Sequence, residues 1–400
     1  MQSLRKLQLR TQLKGKAVRR TKNQIIILLC FVISLTERFT QASIPLIVNH
    51  LSLSEFEMSL FLSAMSASTV FVGLAIAPSI DNYDQRRFLC LIGLFTIVAS
   101  LSFFLFNQNQ ALLWGCLLTF NIGAILRIIN FRRLSAINHE VDKSKLSQAH
   151  TRMQLSITLA MALAPILLAV TATDNYLHLA FGLLVSSIIL SSCTSSIPPR
   201  PKDLTSIKSD RIASQMLTSA HHFIFIGMLL SGLFLSTLLK YCQSISANPI
   251  QLYSNILLSQ VIGLIIANSI FERFFAGQFN RYGLLIITIA IAELAFIYAT
   301  SDVVIIALAF VVGVSFQIMF LRSHNQFQRT IPHGLTAKAN GTRGLYTFIG
   351  ITIGYFAGPL LYKYGGAPLV FTTCCAVALL FFCVLNHLTP SNSHACAGDR

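Results

Sequence analysis

Charge is scarce in this chain. Only 11% of its 400 residues are charged, where soluble domains carry about 25%. More than half, 54%, are hydrophobic, and the mean hydropathy is +0.67. That balance excludes a soluble globular domain and implies a polytopic membrane protein. No G-x-x-x-x-G-K-[ST] stretch occurs, which argues against an ATP-driven pump within this chain. An enzyme in the membrane would need His, Asp or Cys clustered at one face. Here His221-His222 has no nearby acid, and His394 with Cys396 is an isolated pair in the tail. The nine cysteines build no framework: eight lie in or at the ends of apolar runs and Cys374-Cys375 is not a CxxC site, so they read as apolar thiols. The expectation is a chain that is not an enzyme, holding no metal and no cofactor.

What is present is a series of apolar runs, each near the roughly 17–25 residues that cross a bilayer. They fall at 24–48, 56–80, 88–107, 111–131, 153–173, 176–195, 220–242, 250–271, 284–301, 303–321, 344–363 and 366–387. The predicted fold class is an all-α membrane protein with twelve transmembrane helices. Counting Lys and Arg fixes its orientation. With the N-terminus in the cytoplasm, the inside segments hold 26 of the 30 basic residues, eight of them in the tail 1–23, and the positive-inside rule places both termini there. A bacterial inner membrane fits this pattern. The net charge of +16 follows from the asymmetry and calls for no nucleic-acid partner; the basic tail meets anionic lipid headgroups instead. Although the tail and IIILLCFVISLT imitate a secretory signal, apolar character resumes after Arg38 and no small-x-small site follows, so the segment reads as an uncleaved first helix.

Internal repetition is visible but worn. The loop APSIDNYDQRR, 77–87, returns about 199 residues later as AGQFNRYGL, 276–284. FNIG at 120–123 corresponds to FVVG at 310–313, and ALAP ending at Pro165 to FAGP ending at Pro359. The chain therefore divides into a six-helix bundle over 24–195, a charged, PPRP-containing linker over 196–219, a second six-helix bundle over 220–387 and a tail over 388–400, the two bundles being pseudo-symmetric. At these residues the sequence resembles the major facilitator superfamily of secondary transporters, in particular its drug:proton antiporter-like exporters. Of the superfamily's loop G-x-x-x-D-[RK]-x-G-[RK]-[RK], this chain keeps Asp81, followed by Gln85 and Arg86, with Ala77 for the first glycine, Asn82 for the first basic residue and Asp84 for the second glycine; the second copy keeps Arg281 and Gly283 and has Asn280 for the acid. The resemblance implies a cytoplasmic latch formed by Asp81, Arg86 and Arg281, set against the start of the eleventh helix near Gly344. Solvated loop charges are the alternative. Pro165 in AMALAPILLA, and Gly350, Gly354, Gly358 and Pro359 in the eleventh helix, resemble the antiporter motif G-x-x-x-G-P-x-x-G-G. They imply a hinge or close-packing surface.

Two charges stand inside the first apolar run, in FVISLTERFTQASIPLIV. A charge at the bilayer centre costs roughly 2.5–3.5 kcal/mol on insertion scales, so Glu37 and Arg38 need a reason. Glu37 sits about 20 Å along the helix, at the depth where the resemblance places substrate and coupling ions. Pro45 follows near the outer end, as in many drug:proton antiporters. Glu37 is thus the proton-coupling candidate. A static ion pair is the competing reading. Adjacent residues lie about 100° apart on a helix, so its partner should come from another helix rather than be Arg38. Arg127, about 8 Å from the cytoplasmic end of the fourth helix, is shallower and reads as snorkelling to the surface. Candidates for substrate or gating contacts are Arg38, Asn121, Arg127, Gln260, Gln317 and Tyr355. Glu293 is the other deep acid, and the resemblance places its helix outside the cavity.

The sequence thus implies a monomeric secondary transporter that uses the proton gradient and alternating access to export a small amphipathic or anionic organic solute such as a drug-like molecule, metabolite or siderophore. Proton-coupled uptake of an organic anion or siderophore is the alternative. A sensor or scaffold that has lost transport is a third reading. Its partners are the solute, protons and the lipid bilayer.

Overall fold

A computed structural model describes the backbone of residues 2–76, 85–106, 111–140, 143–171, 175–193, 219–274, 282–330 and 336–388, with side chains described within 24–76, 88–106, 112–132, 153–171, 175–192, 222–270, 284–321 and 343–383. All regular structure among these residues is helical. In chain order the α-helices are α1 (Gln2–His50), α2 (Glu55–Phe71), α3 (Gln85–Leu105), α4 (Ala111–Glu140), α5 (Lys143–Val170), α6 (Tyr176–Cys193), α7 (Ser219–Ile245), α8 (Pro249–Phe274), α9 (Tyr282–Ala295), α10 (Asp302–Thr330) and α11 (Thr336–Leu388). A π-helical turn, Val72–Ile76, closes α2. Eight of the helices are long and apolar enough to cross a membrane, and the apolar stretches 155–170, 176–192 and 284–295 are shorter.

The helices have the chemistry that hydrocarbon demands. Backbone polar groups there must be satisfied within the segment, and side-chain hydroxyls follow the same rule: Thr96, Ser186 and Thr288 each donate to the carbonyl four residues back, at 2.7, 2.9 and 2.8 Å. Leu94, Ile97, Leu101 and Phe104 form one stripe along α3, between 51% and 77% exposed. A continuous exposed apolar face of this kind belongs against lipid.

The expected eleventh and twelfth spans lie end to end within α11 as two helices that meet at a kink. Its one interior break is Gly366, with φ 64° and ψ −162°. Only glycine takes that conformation readily, so the chain turns there without a loop.

Two compact units divide the chain. The first comprises Met1–Leu51, Ala64–Lys208 and Pro332–Gly344; the second comprises Ser52–Ser63, Ser209–Ile331 and Leu345–Arg400. In the first, α1 packs on α5 and α6, and α3 on α4. In the second, α10 packs on α7, α8 and α9. There α7 and α11 approach along Gly232, Gly350, Gly354 and Gly358: a Cβ built on Gly354 would lie 2.5 Å from the Leu229 carbonyl oxygen, and one on Gly232 2.5 Å from that of Ile351. Small residues permit such backbone contact between membrane helices. Near the other end of α7, the Tyr241 hydroxyl donates to the Phe296 carbonyl at 2.8 Å inside a cluster of Phe234, Phe296 and Phe371.

Gly354→Val should therefore destabilise the protein by about 1–3 kcal/mol through overpacking. Gly182→Ala should stabilise it by up to about 1 kcal/mol, since nothing lies within 4 Å of a Cβ there and alanine is the better helix former. Thermal melts in detergent check the sign of each. Equal shifts for the two would contradict the α7–α11 contact.

Candidate functional site

The candidate site is built where α1, α2 and α4 meet in the first unit. The approach of α4 to α2 is set at Gly123, where a Cβ would lie 2.7 Å from the Met65 carbonyl oxygen and would overlap the Ser68 hydroxyl. One helical turn further along the same face of α4 stands Arg127. Its Nε donates to Thr69 Oγ1 of α2 at 3.0 Å, and its Nη2 donates to Glu37 Oε1 of α1 in an ion pair. The two charged side chains are 29% and 28% exposed, so the pair is held by protein on one side and remains accessible on the other. This corrects the snorkelling expectation for Arg127. Its long side chain turns toward the acid, because a partner of opposite charge is within reach and Thr69 fixes the guanidinium edge.

Arg38 takes the opposite direction. It is exposed, and its Nη1 donates to Gln41 Oε1 at 3.3 Å on its own helix. The other face of α1 is buried and carries hydroxyls: Thr36 donates to the Val32 carbonyl at 2.7 Å and lies 3.1 Å from the Ser187 hydroxyl of α6. Phe39 packs edge-on against Tyr176 at 6.2 Å. Asn121 is 3% exposed, and its amide donates to the Leu117 carbonyl of its own helix at 2.5 Å.

The second unit holds the other expected contacts. Gln317 of α10 donates to Asn268 Oδ1 of α8 at 2.9 Å, one turn beyond the point where Gly313 meets the Gln260 backbone. Tyr355 is fully buried, and its carbonyl accepts from Ser59 at 2.6 Å. The start of α2 is closed by a reciprocal cap: the Ser54 amide donates to Glu57 Oε2 at 2.6 Å and the Glu57 amide to Ser54 Oγ at 3.3 Å. Beside it Glu55 pairs with Lys240 of α7. Glu293 is 2% exposed, and its Oε2 has no hydrogen-bond partner among the described residues. Pro165 is buried inside α5, and Gly354, Gly358 and Pro359 are buried inside α11. Of the expected latch, Asp81, Arg281 and the side chain of Arg86 lie outside the described residues.

Among the sequence candidates, then, the fold joins Glu37 to Arg127 and leaves Arg38 apart. Thr69 was missed, because nothing near it in the sequence marks it; only the helix crossing at Gly123 brings it to the guanidinium. No group of three or more His, Cys, Asp or Glu suited to a metal ion occurs among the described residues. What the arrangement offers is a carboxylate whose countercharge sits on a different helix.

The family description of the Major Facilitator Superfamily matches residues 26–334. No curated protein matches the sequence. Among solved structures, a bacterial homolog of the human lysosomal transporter Spinster, in an inward-facing and occupied conformation, has 10% identity and a TM-score of 0.67, covering 93% of this chain and 97% of its own. The nucleoside transporter NupG has 13% identity and a TM-score of 0.66, covering 92% and 98%. At such identities the likeness is one of fold.

Glu37→Gln and Arg127→Gln should each lower stability by about 1–2 kcal/mol, less than for a fully buried pair because both side chains reach solvent. The double variant should recover most of that loss. A thermal-melt cycle measures the coupling, and strictly additive losses would show that the two side chains do not act on one another.

Proposed function

Because the chain belongs to the Major Facilitator Superfamily, we propose that it is a proton-coupled secondary transporter of a small amphipathic or anionic organic solute, with Glu37 as its proton carrier. It is an integral, multi-pass membrane transporter and not an enzyme. In this reading the helices make twelve spans in two six-helix bundles, 24–195 and 220–387, joined by the linker 196–219, with Gly366 separating the last two spans. Both termini face the cytoplasm of a bacterial inner membrane, and the protein works as a monomer by alternating access. The solute, protons and lipid are its partners, and the proton gradient is its energy source.

The observation that carries the reading is the partly exposed Glu37–Arg127 pair, built from two helices and steadied by a third. Intramembrane charges are costly and are retained for function. When Glu37 takes a proton, Arg127 loses its countercharge, so proton binding changes what else the site can hold.

Export by proton antiport is the direction supported by Pro45 in α1 and Pro165 in α5, both buried inside continuous helices and matching the antiporter-like pattern. Uptake by symport is favoured by the pair itself. An arginine freed by protonation of its acid is available to an organic anion, so proton and anion would bind together.

Proteoliposomes under an imposed pH gradient separate these. Organic anions, siderophores and lipophilic cations are offered to wild type and to Glu37→Gln. Proton movement opposite to the solute, lost in the variant while solute binding persists, is the expected result for antiport. Proton movement with the solute, lost in the same way, means symport. Unchanged coupling in the variant would make the pair structural and end the proposal for Glu37.

A further inference from the structure

Thr36, Thr40 and Ser43 follow one another at i, i+4 and i+7 on one face of α1 and are 0%, 4% and 0% exposed. Two of the three hydroxyls are accounted for. Thr36 donates to the Val32 carbonyl at 2.7 Å and neighbours Ser187 Oγ at 3.1 Å, and Ser43 donates to the Thr40 carbonyl at 3.0 Å. The Thr40 hydroxyl has no partner among the described residues. It does not return to the carbonyl four residues back, as Thr36 does. Buried hydroxyls without a partner are exceptions that require an explanation.

Thr40 lies three residues from Glu37 and four from Thr36, spacings that put Cβ atoms about 5–6 Å apart. A single water spans such a gap. We propose that the Thr40 hydroxyl, the Thr36 hydroxyl and the Glu37 carboxyl hold a buried water, and that this water delivers the proton to Glu37 and removes it. Three polar groups meet the usual requirement of two to four partners for a buried water. In the delivery step the water oxygen accepts a proton from bulk water on the open side while one of its own O–H bonds breaks toward the carboxylate. One O–H bond forms for each that breaks, and release is the reverse. The charged groups nearest this part of α1 are Glu37 on α1 itself and Arg127 on α4, while Arg38 points the other way. The described side chains of α5, within 153–170, include no titratable group, and α6 contributes Tyr176, whose hydroxyl donates to the Leu168 carbonyl at 3.1 Å, and His178, which stacks edge-on against Phe103.

The inference rests on Glu37 as proton carrier, and its test separates the two. Thr40→Val keeps the shape of the side chain and removes the hydroxyl; Thr40→Ser keeps the hydroxyl. If the water is there, Thr40→Val lowers Tm and lowers the ratio of proton-driven flux to solute counterflow by about tenfold, and Thr40→Ser restores both. If the hydroxyl is merely unmet, Thr40→Val raises Tm, because an apolar replacement relieves it, and the flux ratio stays at the wild-type value; that result overturns the inference. Failure of Thr40→Ser to restore the ratio overturns it as well, since the defect is then one of packing. Persistence of proton-driven flux in Glu37→Gln defeats the carrier reading and the delivery step with it, while the Tm responses still decide whether Thr40 holds the water.

Discussion

A carboxylate placed midway along an apolar helix has to be neutralised from outside that helix, and much of the first unit is arranged around this constraint. Glu37 cannot use Arg38, which lies on a different side of the same helix and bonds to Gln41. It is met by Arg127 instead, and Arg127 is aimed by Thr69. Each contact comes from a different helix, so the ion pair depends on the approach of α4 to α2, which depends in turn on the missing side chain of Gly123. The charges and the packing around them are one requirement: with a larger residue at 123, the guanidinium would be displaced from the acid it neutralises.

Close approach without side chains recurs in the second unit, where it serves helix association rather than charge. Lipid chains are as apolar as leucine, so the burial that drives soluble helices together is weak here and backbone proximity takes over. Gly232, Gly350, Gly354 and Gly358 join α7 to α11 in this way, and Gly263 with Gly313 joins α8 to α10. Polar contacts then fix the register: Gln317 to Asn268, Ser259 to the Ile306 carbonyl at 2.7 Å, and Tyr241 to Phe296.

The legibility of this protein from its residues varied with the range of the interaction involved. Membrane insertion, helix content and the demand that Glu37 find a partner elsewhere were all readable, because hydropathy, spacing and the cost of an intramembrane charge act within one segment. Gly366 was less so: one glycine among several gives no sign that its φ is positive, or that the last two helices meet there at a kink without a loop between them. Arg127 was misjudged for a related reason. Its depth along α4 suggested escape to the surface, whereas the outcome was set by an acid ninety residues away in sequence. Thr69 and the hydroxyl of Thr40 carried no signal, since both differ from neighbouring serines and threonines only in what surrounds them.

By itself, then, the sequence determined that the chain enters a bilayer, that it does so as helices, and that an acid inside the first of them requires a countercharge. These follow from one-dimensional quantities: the length of apolar runs, the count of charges and the pitch of a helix. Only the tertiary structure decided that Arg127 supplies that countercharge and Arg38 does not, that Thr69 orients it, and that Thr40 is buried with its hydroxyl unmet. Those outcomes hang on distances of about 3 Å between helices, and interhelical distances are set by which glycines lie opposite which backbones.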